Sequence, residues 1–211
     1  MSRLRSFRRV LFAIVKKDWD GFHKATSLLL AVMFVPVLMK FFSDTPEAAR
    51  QLLTILPFAS VYVYSNSFMY ERQRGTQRIL LQLPAAPFDV IFAKFVAIIT
   101  LNLFTISLPL LLLRDWKLLL LANGTALFFS TLMMAGSVIS DIPIVPMLPP
   151  LLAFVVLTIR PDQLIAESLP ITADSFLWMR THLHLVAGMA GATSPFIAAS
   201  AAFLFARQQQ N

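Results

Sequence analysis

The sequence predicts an all-α polytopic membrane protein with six transmembrane helices, and three observations lead there. Of 211 residues, 57% are hydrophobic and 14% charged, with mean hydropathy +0.71. A soluble core of this size cannot hide that much apolar surface. The apolar residues gather in stretches near the roughly 20 residues needed to cross a bilayer. Most of the basic residues behind the net charge of +7 flank those stretches, where they act as topology signals; no nucleic-acid partner is expected.

The first element is expected to be an interfacial helix over residues 1–24. Phe7, Val10, Leu11 and Ile14 recur at helical spacing, while Arg5, Arg8, Arg9 and Lys16 stand elsewhere around the axis and Trp19 follows. Lys16 and Lys17 cut the apolar run short, which argues against a signal peptide.

Six spans are expected within residues 25–206: Ala25 to Phe42, Leu52 to Tyr70, Val90 to Leu113, Leu118 to Ile139, Ile142 to Ile159 and Leu183 to Ala206. The fifth contains Pro143, Pro146, Pro149 and Pro150, which are expected to prevent a regular helix through its first half. A tight turn at Arg114-Asp115-Trp116-Lys117 joins the third and fourth. An outer segment over 160–182 mixes Leu164, Ile165, Phe176 and Trp178 with Asp162 and Asp174 and is expected to rest on the outer leaflet. A glutamine-rich tail, 207–211, ends the chain. Placing both termini in the cytoplasm puts about twelve Lys/Arg inside against about six outside, which sets the orientation.

The water-facing loop at 71–89 has a character of its own. Glu71, Arg72, Arg74 and Arg78 carry its charge, Gly75-Thr76 can open a short helix through Ile79, Leu80, Leu81 and Leu83, and Pro84 stops it. Pro87 fits the first turn of the next helix, and Asp89 sets negative charge at that helix's positive end.

Polar residues inside spans are costly, so each needs a reason. Tyr62, Ser65, Asn66 and Met69 fall at i, i+3, i+4 and i+7, forming one face that either lines a substrate path or dimer axis or hydrogen-bonds a neighbouring helix. Asn123, Ser130 and Ser137, spaced by seven, read as packing contacts. Gly188, Gly191 and Ala192 read as a close helix approach and Pro195 as a bend. His182 and His184 stand at the outer mouth with His23 on the inner side; interfacial histidines need no ligand, and no metal site is assigned.

Several chemistries are excluded. There is no cysteine, and so no disulfide or thiolate site. The motifs of zinc proteases and serine hydrolases are absent, as is the glycine-rich phosphate loop of ATPases. No enzymatic activity is expected of this chain.

The pattern from Glu71 to Lys94, an acidic-basic pair after the second span, Gly-Thr, a leucine-rich turn, Leu83-Pro84 and a helix opening with Ala93-Lys94, resembles the permease subunits of ABC-2-type ATP-binding-cassette transporters. The chain is also similar to their haem-exporter-B branch, which acts in cytochrome c maturation, in size and in Ser194-Pro195-Phe196 of the last span. The resemblance implies a bacterial cytoplasmic-membrane exporter for a hydrophobic or amphiphilic substrate, built from two permease copies or a sister pair. The chain would bind no cofactor; ATP and Mg would sit on a separate cytoplasmic ATPase. Glu71, Arg72, Arg74, Gly75, Thr76, Arg78, Leu80 and Leu83 would form the coupling helix seated in that ATPase. Two readings of other classes stand beside it: an ATP-independent transporter, which calls for charges inside the membrane, and a membrane scaffold.

Overall fold

The computed structural model describes residues 8–9, 11–20, 31–32, 34–35, 38, 71, 86–112, 114–140, 142, 144–158 and 182–208. Within them, six helical elements place the site. These are α1 (11–20), α2 (Pro87–Asn102), α3 (Leu108–Leu111), α4 (Trp116–Ile139), α5 (Ile144–Thr158) and α6 (Leu183–Gln208). No strand occurs among the described residues.

Among the described residues, three helices are long and apolar enough to cross a membrane: Pro87–Leu111, which joins α2 to α3, Trp116–Ile139, and Leu183–Arg207. They correspond to the third, fourth and sixth expected spans. The first two expected spans fall almost wholly outside the described residues, as does the segment at 160–182 apart from His182. Of Ala25 to Phe42 only residues 31, 32, 34, 35 and 38 are described, all helical.

The expectation for the fifth span is corrected. An α-helix runs unbroken from Ile144 to Thr158 with Pro149 and Pro150 inside it. Pro146 lies in its first turn, where no helical N–H bond is needed, and the two interior prolines remove donors without stopping the helix. At 15 residues it is about 22 Å long, shorter than the roughly 30 Å hydrocarbon core.

The helix boundaries have local causes. At the start of α2, Pro87 takes the first turn and the Asp89 carboxylate accepts the Ala86 N–H at 3.3 Å. The turn between α3 and α4 passes through Arg114 at φ 51°, and the Asp115 carboxylate caps α4 by accepting the N–H groups of Lys117 and Leu118. Trp116 and Lys117 therefore belong to the first turn of α4, not to the connection.

Between α2 and α3, Leu103–Ser107 forms a π turn in which the Leu108 N–H donates to the Leu103 carbonyl. Pro109 accounts for it. In a continuous α-helix its ring would press on the carbonyl four residues back, and one extra residue in the turn moves that carbonyl aside.

The packing direction follows from side-chain contacts. α3 and α4 form a hairpin, tied where Ser107 Oγ donates to Asn123 Oδ1 at 2.7 Å. α6 runs parallel to α4: Trp116 meets His184 edge to face at 5.4 Å, Leu120 lies against Gly188, and Gly124 lies against Ala187 and Gly191. Leu183 thus stands at the Trp116 end of the bundle. α5, whose Pro146 packs on Gly136, starts from the opposite, Ile139 end. Gly188 and Gly191 make the close approach expected of them; Ala192 is exposed and has no part in it.

α4 packs between α2 and α6, with Ala122, Ala126, Met133, Met134 and Val138 buried in the shared core. The outer faces are apolar: Phe88, Phe92, Leu103, Leu108 and Leu111 on the first span, Met189, Phe196 and Phe203 on the last. A lipid environment suits such faces and water does not.

Candidate functional site

Lys94 lies seven residues into α2, about 10 Å from its start, with 2% of its surface exposed. An ammonium in such a place needs opposite charge close by. Two carboxylates provide it. Lys94 Nζ donates to both oxygens of Asp18 at 3.3 Å and to the Glu71 carboxylate at 2.9 Å. Asp18 and Glu71 are themselves 5% and 7% exposed. Lys17 closes the group: its ammonium donates to Glu71 and stands 3.9 Å from Asp18.

Three stretches distant in sequence meet here because of how α1 packs. Ile14 is buried against Val90 and Ala93. One turn later Asp18 faces Lys94, and Trp19 donates to Thr100 Oγ1 at 3.4 Å while meeting Phe104 edge to face at 5.3 Å. The contacts advance together along both helices, so α1 runs alongside α2 in the same direction. Its opposite face carries Phe12 and Lys16, and Arg8 and Arg9 precede it, all exposed. The apolar residues expected to face a membrane surface instead include Ile14, which packs on α2, while the cationic residues stand on the exposed side.

Among the described residues two cations face two anions, and charges paired in this way can stay ionised in a poorly solvated site. Lys17 marks its edge, being half exposed. Its ammonium titrates below the usual lysine value, first through burial and then through the positive charge of Lys94, with Asp18 acting in the opposite sense.

Among the residues expected to carry function, the structure places Glu71 in this network. Arg72, Arg74, Gly75, Thr76, Arg78, Leu80 and Leu83 of the expected coupling helix, and Tyr62, Ser65, Asn66 and Met69 of the second span, lie outside the described residues. In the sequence Lys17 marks only the end of an apolar run, Lys94 only part of an Ala-Lys element, and Asp18 carries no assignment. A signal was present: Asp18 follows Ile14 by four on the apolar face of α1, where a carboxylate is out of place, and Lys94 interrupts an apolar run.

Asn123 does join two helices, through Ser107, as its reading as a packing residue implies. Ser137 donates to the carbonyl of Met133 on its own helix. No group of three or more His, Asp or Glu able to hold a metal ion occurs among the described residues.

No family model, no curated protein and no solved structure matches this chain.

Proposed function

We propose that this chain is the membrane-spanning permease subunit of an ABC-2-type exporter, with six spans and both termini in the cytoplasm. It would work as a pair of permeases with a separate cytoplasmic ATPase to move a hydrophobic or amphiphilic substrate outward.

The observation that carries the reading is the position of Glu71. This residue leads directly into the loop whose sequence resembles a coupling helix, and its carboxylate is bonded to Lys94 of α2 and to Lys17 of α1. A loop pushed by an ATPase moves the spans only if its root is fixed to them. The Glu71 pairs provide that fixture, since breaking one leaves a buried charge unpaired. The chain's own contribution is then differential affinity for substrate in two arrangements of the helices, with no covalent chemistry.

The test is purification in mild detergent from the native host, with mass spectrometry of whatever remains bound. The expected result is a soluble subunit carrying a phosphate-binding loop, lost on Leu83→Asp. Recovery of the chain alone after crosslinking would overturn the proposal.

The same buried charges support a second reading, an ATP-independent transporter driven by an ion gradient, because ionisable groups inside a bundle are its usual requirement. It predicts substrate flux in proteoliposomes that collapses with the proton or sodium gradient and ignores nucleotide. The permease reading predicts the reverse dependence.

A further inference from the structure

Asn102 of α2, Ser130 of α4 and Ser194 of α6 are buried, and the Asn102 amide and both serine hydroxyls have no hydrogen-bond partner in the protein. Helix register brings them to one depth. Counting from the Ser107–Asn123 hydrogen bond of the antiparallel hairpin, Asn102 lies five residues back and Ser130 seven forward, about 3 Å apart along the axis. Counting from the Gly124–Gly191 contact of the parallel pair, Ser130 lies six residues on and Ser194 three, about 4.5 Å apart along the axis. All three stand near the middle of their spans.

All three are buried, so each points into the bundle and not to its outer surface. Ser130 is two turns from Asn123 on the face toward α3; Ser194 follows Gly191 on the face toward α4; Asn102 sits between Leu101 and Ile106 in the core shared by the three spans. The helices are irregular at this level. The π turn starts at Leu103, and Pro195 has no N–H to give the Gly191 carbonyl. Amide, hydroxyls and carbonyl together offer both donors and acceptors, with no charge. On α2 itself, the buried Lys94 is eight residues away, about 12 Å.

Buried polar groups of this kind are satisfied by a small neutral molecule that both donates and accepts, and at a site enclosed by three helices that molecule is water. We propose that Asn102, Ser130 and Ser194 seat an internal water, or a short chain of waters, at the middle of the membrane. The site is independent of which energy source drives the protein.

Radiolytic hydroxyl labelling of the full chain in lipid nanodiscs tests it, because radicals formed from bound water label side chains that bulk solvent cannot reach. Met133 and Met134, three and four residues from Ser130 and both buried, are the reporters; Leu110, equally buried near the end of the span, is the control. With each residue's labelling normalised to its intrinsic reactivity in the unfolded chain, the expected result is labelling of the methionines above that of Leu110, falling severalfold in Asn102→Leu/Ser130→Ala/Ser194→Ala. The Ser130→Ala/Ser194→Ala pair serves if the triple variant does not insert. Methionine labelling no higher than the control, or unchanged by the variants, overturns the proposal. So does a rise in Tm for Ser130→Ala, since deleting a hydroxyl that holds water costs stability and deleting an unsatisfied one restores it.

Discussion

Gly124 and Gly191 meet backbone to backbone: a Cβ on Gly191 would come 2.8 Å from the Gly124 Cα, and a Cβ on Gly124 would come 2.1 Å from the Ala187 carbonyl oxygen. No side-chain rotation relieves a clash with backbone. Gly124→Ala is therefore expected to cost about 1–3 kcal/mol or more, by the general cost of overpacking, and to lower Tm by several degrees. Ala192→Val, on the exposed face of the same helix, is the control and should leave Tm unchanged. Thermal unfolding in detergent distinguishes them.

Lys94→Ala removes the cation that Asp18 and Glu71 share. Leaving a buried carboxylate uncompensated costs about 3–5 kcal/mol, so the variant should be strongly destabilised. Lys94→Met/Glu71→Gln, which removes one charge of each sign, should lose less than the sum of its single changes. A double-mutant cycle gives the coupling, and strict additivity would show that the two groups do not interact.

The lowered titration of Lys17 has a definite sign. In the folded protein it loses its proton below the usual lysine value, so between the two values the unfolded chain holds more protons. Stability therefore rises with pH through that alkaline window and levels off above it. Lys94→Met removes the second cause of the shift, and NMR of the methylated Lys17 amine should show its titration moving upward.

The outer face of α1 presents Phe12, 70% exposed, with Arg8 and Arg9 one turn before it and Lys16 one turn after. An aromatic ring among cations suits the headgroup region of an anionic leaflet. Arg8→Gln/Arg9→Gln/Lys16→Gln should lose the phosphatidylglycerol that wild-type protein keeps through detergent extraction, measured against phosphatidylethanolamine by native mass spectrometry. Equal retention of both lipids by the wild type would remove the assignment.

The sequence made the spans legible wherever apolar length settles the matter, as it does around Val90 to Leu113, Leu118 to Ile139 and Leu183 to Ala206. Their ends shifted by a few residues because caps decide ends: Asp115 starts α4 two residues early, and Arg207 and Gln208, read as tail, extend α6. The prolines at 146, 149 and 150 misled the reading of α5, since a helix flanked by packing partners tolerates lost donors that an isolated one would not. The charge network was only half legible. Glu71 and Lys94 were marked by their local patterns, but Asp18 becomes a partner only once α1 lies along α2, a tertiary relation that spacing within one segment does not encode.

The π turn has a consequence for anyone scanning the first span. Leu101 and Leu108 are seven residues apart and would share a face on an unbroken helix, yet Leu101 is buried and Leu108 exposed. Burial passes instead from Leu101 to Pro109, and exposure from Leu103 to Leu111 and from Phe104 to Leu112, in steps of eight. The lipid-facing stripe changes phase between Leu103 and Ser107, so that one proline, rather than the leucines themselves, decides which of the outermost leucines meet the acyl chains.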